Sequence, residues 1–172
     1  MTNLKKLWLA ENGIVDYEPL KLLTNLTWLS LRETNIANLE PLEGLTKLEG
    51  LDLSGTRITT LGPLKGLTNL DRLNLSESSI QDLSSLKGLV TLTSLDLSKT
   101  NIRDLDALKG LINLRELDLS ANPVKDLEPL KGLTNLRKLS VLNTEVTTAE
   151  PLNELPLVSI LGLPSPRGQN KP

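Results

Sequence analysis

The sequence predicts an α/β solenoid of stacked coils, with a parallel β-sheet on one face and 3₁₀ or short helical turns on the other. Three observations carry that prediction. Apolar residues recur as L-x-x-L-x-L with a period of 22 residues. Two leucines of each triplet alternate with outward positions at the period of a strand. Proline and glycine punctuate the stretch between one triplet and the next. Self-similarity at a fixed period of this length marks a stack of like supersecondary units.

The strands come first in each unit. Their triplets are Leu4/Leu7/Leu9, Leu26/Leu29/Leu31, Leu48/Leu51/Leu53, Leu70/Leu73/Leu75, Leu92/Leu95/Leu97, Leu114/Leu117/Leu119 and Leu136/Leu139/Val141. A final partial unit is predicted at Val158/Leu161/Leu163, with no insertion or deletion breaking the series. The leucines face one interior, so the residues flanking them form columns on the opposite face of the sheet. The first column is Lys6, Trp28, Gly50, Arg72, Ser94, Glu116, Lys138 and Ile160. The second is Trp8, Ser30, Asp52, Asn74, Asp96, Asp118, Ser140 and Gly162, and the third is Ala10, Arg32, Ser54, Ser76, Ser98, Ser120, Leu142 and Pro164.

The turn after each strand carries Asn12, Thr34, Thr56, Ser78, Thr100, Asn122 or Thr144, residue types whose side chains bond turn backbone. Four more apolar columns keep register in the return segment, running from Ile14 to Val146, Tyr17 to Ala149, Leu20 to Leu152 and Leu23 to Leu155. Pro19, Pro41, Pro63, Pro129 and Pro151, with Gly44, Gly66, Gly88, Gly110 and Gly132, make the return too interrupted for a long helix. One unit cannot bury its own apolar face, so neighbouring units supply the stability and the end units are the weak points.

The predicted organisation is a solenoid over residues 1–164, seven full repeats plus a final strand, followed by a flexible, Pro-rich tail over 165–172. Met1-Thr2-Asn3-Leu4 reads like the repeat junction Leu23-Thr24-Asn25-Leu26, so no cap is expected at the start. That leads to the expectation of either a segment of a longer protein or open ends shielded by association.

Composition narrows the chemistry. With 19 Lys and Arg against 21 Asp and Glu, the net charge of −2 gives no general field for a polyanion, so no nucleic-acid partner is expected. The chain has no Cys and no His, which removes thiolate metal sites, Cys/His pairs, Ser-His-Asp triads and the usual neutral-pH proton carrier. No cofactor is expected. No stretch approaches the ~20 apolar residues of a membrane span, and Met1 to Ala10 lacks the apolar core of a signal peptide. No membrane insertion is expected, and secretion or surface attachment would require a longer precursor.

The run L-x-x-L-x-L-x-x-T/N-x-I-x-x-L-x-P-L-x-G-L-T-N resembles the short-repeat class of leucine-rich-repeat proteins that includes the bacterial internalins. The resemblance covers Met1 to about Pro164. It implies a leucine-rich-repeat horseshoe with its sheet on the concave face and its helical turns on the convex one, a non-enzymatic binding role, and, in bacterial members, frequent secretion or surface attachment. Family members usually carry Asn at the turn after the strand, bonded to the backbone of adjacent coils. Asn12 and Asn122 fit that pattern, whereas hydroxyls stand at the other turns.

A protein-binding module recognising a partner on its concave face is therefore the expected function. The candidate contact residues are Lys6, Trp8, Trp28, Arg32, Asp52, Arg72, Asn74, Asp96, Glu116 and Asp118. Both tryptophans fall in outward columns of adjacent strands, ~5 Å apart in the sheet direction and diagonal to one another. Trp and Arg dominate interface energies, so this patch beside Lys6 and Arg32 has the makings of a hot spot. The mixed charge around Arg72, Glu116 and Lys138 suits protein recognition by complementarity. The Asp column has a purely structural reading too, as part of a recurrent Leu-Asp-Leu-Ser phrase. A hydrolase using Asp96 and Asp118 is disfavoured, because an open sheet offers little desolvation to separate two carboxyl pKa values. The alternative to partner binding is a structural spacer or uncapped fragment that self-associates.

Overall fold

A computed structural model describes residues 3–155 and 159–163. Its eight strands are β1 (Lys6–Trp8), β2 (Trp28–Ser30), β3 (Gly50–Asp52), β4 (Arg72–Asn74), β5 (Ser94–Asp96), β6 (Glu116–Asp118), β7 (Lys138–Ser140) and β8 (Ser159–Leu161). They form one open sheet in sequence order, every neighbouring pair parallel. From β1 to β7 the period of 22 sets the register, so Leu7, Leu29, Leu51, Leu73, Leu95, Leu117 and Leu139 stand side by side. Between the strands, short 3₁₀ turns at Glu18–Leu22, Glu40–Leu42, Gly62–Gly66, Ser84–Leu86, Asp106–Leu108, Glu128–Leu130 and Glu150–Leu152 make the return. Proline at the first or second helical position of five of them suits a helix start, where its missing N–H is no loss.

The interior is a column of leucine layers. From the second coil to the sixth the inward residues are almost wholly buried, whereas Leu4, Leu7, Leu9, Tyr17 and Leu23 of the first coil, and Ile160 and Leu163 at the other end, are only partly covered. The first described coil has a neighbour on one side only, which leaves part of its apolar surface uncovered. Tyr17 turns this to use: its ring packs on the core while its hydroxyl donates to Asn35 Oδ1 at 2.7 Å.

The turns satisfy their backbone by one repeated device. The hydroxyls of Thr34, Thr56, Ser78, Thr100 and Thr144 each donate to the carbonyl three residues back, at 2.6–2.7 Å. Asn122 does more. Its amide donates to Leu97 O at 2.7 Å and Leu119 O at 3.0 Å, while its Oδ1 accepts from Ile102 N at 2.9 Å and Thr100 N at 3.2 Å. It thus ties two coils together, as the family pattern implies. Asn12, in the first coil, donates only locally to Ala10 O at 3.1 Å.

A second structural column was not anticipated from the sequence. Side-chain oxygens of Asp16, Asn38, Asp82, Asp104 and Asp126, and of Thr148, accept the N–H two residues on, at 2.7–3.1 Å, and so start every 3₁₀ turn described except Gly62–Gly66. A third links coils on the approach to the strand, where Asn69, Asn113 and Asn135 donate to the carbonyl 23 residues back. Both columns recur at the period of the leucines, and that was their available signal.

The last strand corrects the predicted register. Lys138 pairs with Ser159, Leu139 with Ile160 and Ser140 with Leu161, so the spacing at the final unit is 159 − 138 = 21 residues. Ser159 and Leu161, not Ile160 and Gly162, therefore continue the first and second columns. Leu161, predicted inward, is 56% exposed, and Ile160 takes the inward place. The cause is a spacer one residue short, because Leu155-Pro156-Leu157 stands where earlier units have Leu-Thr-Asn-Leu, as at Leu133 to Leu136. Gly162 turns the chain at φ +96° with its Cα close against the backbone of Leu142. The predicted positions Met1, Val158 and Pro164 and the tail over 165–172 lie outside the described residues. No helix among the described residues is long and apolar enough to cross a membrane.

Candidate functional site

The strand face is built from three-residue strands whose central leucine points inward, leaving two residues per strand to face out. In the first column Lys6, Arg72, Glu116 and Lys138 are exposed and Trp28 and Ser94 are partly covered. These side chains follow no repeat. In the second column Asp52, Asn74, Asp96 and Asp118 do follow one, and the structure gives the reason. Oδ1 of Asp52 accepts from the Ser54 N–H at 3.0 Å and its hydroxyl at 2.7 Å, and Asn74 makes the same pair with Ser76 at 2.9 and 2.8 Å. Asp96 and Asp118 accept from the N–H of Ser98 and Ser120 at 2.9 and 2.8 Å. Each side chain fastens the turn that follows its strand, through one oxygen only.

The two tryptophans do not behave as a pair. Trp28 is cross-strand from both Lys6 and Gly50, and its six-membered ring lies over Gly50 on β3, away from β1. A Cβ on Gly50 would sit 2.1 and 2.2 Å from Trp28 Cε3 and Cζ3, so the glycine is what makes room for the ring. Trp8 remains 62% exposed at the open edge of the sheet. The Trp28 indole N–H is buried and lacks an acceptor among the described residues, so packing, not hydrogen bonding, holds the ring. Gly50→Ala is expected to push the indole into solvent at a cost of about 1–3 kcal/mol. In a Trp8→Phe background the emission should then shift to the red; unchanged emission would contradict this placement.

Charges on the face are largely paired. Lys138 meets Glu116 across β6 and β7 at 2.6 Å, Arg72 Nε meets Asp71 at 3.5 Å, and Arg32 meets Glu33 at 2.6 Å. The Arg32 guanidinium is held above its ordinary pKa, first by that hydrogen bond and then by the Glu33 charge. Two coils further on, the hydrogen bond from Lys99 to Glu77 at 2.7 Å holds the Glu77 carboxyl below its ordinary range. All but Asp71 are half-exposed or more, so they contribute little stability, yet they fix where charge is presented.

Shallow recesses open on this face, two of them towards its middle and its far end. One, of about 250 Å³, is lined by Trp28, Leu51, Asp52, Arg72, Leu73, Asn74, Ser94 and Asp96. The other, of about 330 Å³, lies towards β8 between Asp96, Asp118, the Glu116–Lys138 pair and the exposed Leu161. The structure thus brings Trp28, Asp52, Arg72, Asn74 and Asp96 together, and places Glu116 and Asp118 beside them. Lys6 lines a further recess with Trp28 and Arg72, while Trp8 and Arg32 line none of these recesses. No group of acidic side chains among the described residues is arranged to hold a metal ion.

Known proteins share the fold of this chain. The family model described as Leucine Rich repeats (2 copies) matches residues 24–66, 46–88, 90–132 and 112–154. An internalin from Listeria monocytogenes is 32% identical with a TM-score of 0.87, covering 92% of this chain and 47% of its own. A second internalin from the same organism is 34% identical with a TM-score of 0.86, covering 92% of this chain and 72% of its own. A leucine-rich-repeat protein from Leptospira interrogans is 25% identical with a TM-score of 0.77, covering 95% of this chain and 49% of its own. The chain thus spans about half the length of the first and third of these structures. No curated protein sequence matches it.

Proposed function

Since the chain belongs to the leucine-rich-repeat family, of the bacterial internalin-like type, we propose that it is a non-enzymatic module that recognises a protein partner on its concave sheet face. Proteins of this fold commonly act through protein–protein contacts, presenting an extended curved sheet. One observation carries the reading for this chain. The inward columns, the turn hydroxyls and the Asp/Asn column all have intramolecular roles and repeat accordingly, whereas the first outward column changes from Lys6 to Trp28, Gly50, Arg72, Ser94, Glu116 and Lys138. Variation without a structural task is what a recognition surface requires. Trp28 and Arg72 would form its centre, with Trp8, Lys6 and Arg32 on one flank and Glu116 and Asp118 on the other.

The test is titration of candidate partner proteins against the parent, Trp8→Ala, Trp28→Ala and the convex-side variant Lys87→Ala. A hot-spot tryptophan should cost 2 kcal/mol or more, roughly thirtyfold in affinity, while Lys87→Ala binds as the parent does. Thermal melts separate lost contact from the uncovering of Gly50. Equal affinity of both tryptophan variants and the parent removes the proposed hot spot.

The partly covered first coil and the exposed Leu161 on β8 favour a second reading, association through the ends of the stack. It predicts sedimentation that grows with concentration and is suppressed by Leu161→Lys. A monomer across a hundredfold concentration range would exclude it.

A further inference from the structure

We propose that the recess beside Trp28 receives an arginine side chain of the protein partner, with the indole as its wall and Asp52 and Asp96 as its counter-charges. This rests on the reading of the strand face as the recognition surface and names the chemistry of the group that docks there.

Four features of the recess lead to this occupant. Its volume, about 250 Å³, lies below the roughly 300–1,000 Å³ of pockets that enclose a whole drug-sized ligand, and its mouth is open, so it suits one side chain carried by a larger molecule. The strand backbone at Leu51 and Leu73 forms the floor and the Trp28 ring an apolar wall, against which an aliphatic stem would lie. Asp52, Asn74 and Asp96 then follow in register on β3, β4 and β5, which sets the two carboxylates about two strand spacings, or ~10 Å, apart with the amide between them. Each carboxylate gives Oδ1 to its turn serine and keeps Oδ2 for another donor.

Arg72 is the sole cation lining this recess, and its guanidinium is engaged with Asp71, so the two aspartates outweigh it. A guanidinium fits such a site better than an ammonium. It is planar, it stacks on an aromatic face, and its donors leave the plane's edge in several directions and can reach carboxylates on both sides. An acidic side chain would meet Asp52 and Asp96 with only arginines already paired to offset them, Arg72 with Asp71 and Arg32, near Asp52, with Glu33.

The sheet supplies its own control. Asn74 fastens its turn to Ser76 just as Asp52 fastens its turn to Ser54, which shows that Asn performs the structural task without the charge. The double variant Asp52→Asn/Asp96→Asn should therefore melt within a few degrees of the parent while losing the counter-charges.

The probes are acetyl-arginine amide, acetyl-lysine amide and acetyl-citrulline amide, titrated into ¹⁵N-labelled full chain and followed at the Trp28 indole and Asn74 side-chain amide resonances. Saturable shifts with acetyl-arginine amide are expected, several-fold tighter than with the lysine compound and absent with citrulline, which keeps the shape but not the charge. The double variant should weaken arginine binding at least tenfold, as should raising the salt. Equal response to arginine and citrulline, or a double variant that binds as the parent does, overturns the proposal. If the double variant leaves a partner's affinity untouched while Trp28→Ala abolishes it, the arginine assignment falls and the recognition face stands. If partner affinity ignores every substitution on the face while the probe still binds at Trp28, it is the recognition reading that falls.

Discussion

Asn122→Ala is expected to lower the stability of the chain by about 3–5 kcal/mol, more than any other polar substitution in the solenoid, because it strands two backbone N–H groups inside the stack. Asn122 is 2% exposed, and its Oδ1 is the acceptor for Thr100 N and Ile102 N in the preceding coil. Each buried donor left without an acceptor costs about 1–3 kcal/mol, and the carbonyl of Leu119 loses its partner in the same step. For a chain of this size about 2–4 °C of melting temperature follows each kcal/mol, so a drop on the order of 10–15 °C should appear by calorimetry. Asn122→Thr makes the comparison sharp. A threonine there can donate to the carbonyl three residues back, as Thr100 does to Leu97 at 2.6 Å, but cannot reach across to the neighbouring coil. It should recover about 1 kcal/mol and no more. If Asn122→Thr melts with the parent, the cross-coil bonds carry no weight and the hydroxyl device suffices everywhere.

Leu95→Ala, in the middle of the stack, should cost about 3–4 kcal/mol, whereas Leu7→Ala in the same inward column should cost about 1 kcal/mol. The residues are alike in type and in place along their strands, and differ only in neighbours. Leu95 is 1% exposed between Leu73 and Leu117, both in register with it, so truncation leaves a cavity walled on both sides. Leu7 has Leu29 on one side and is only partly covered, so little surface is buried to lose. Urea midpoints of the two variants measure the contrast. Equal losses would mean that stability is not a sum of nearest-neighbour terms along the coils.

The strand register from β1 to β7, the inward and outward faces and the 3₁₀ returns were all legible in the amino-acid order. A period of 22 with a period of 2 inside it leaves one way to stack the coils that buries the repeating leucine columns, and a slip of one residue would turn a whole strand inside out. Even the turn columns at Asp16 and Asn69 lay in the sequence, unread because a polar repeat has no burial to announce it. Where that constraint weakens, only the assembled structure decided. At β8, Ile160, Leu161 and Leu163 are all apolar, so residue type fits either register, and the short spacer before them chose the one that leaves Leu161 outside. The period places Trp28 beside both Lys6 and Gly50 but says nothing of which way a ring leans; the missing side chain of Gly50 drew it onto β3 and parted it from Trp8. Likewise the column of Asp52, Asn74 and Asp96 was visible as letters, while the use of one oxygen in each turn belongs to the fold. Periodicity determines which backbone positions become neighbours, because burial penalises every other alignment. The direction of a side chain on an open face is settled by the size and hydrogen-bonding capacity of whatever stands next to it, and those neighbours meet only when the coils are stacked.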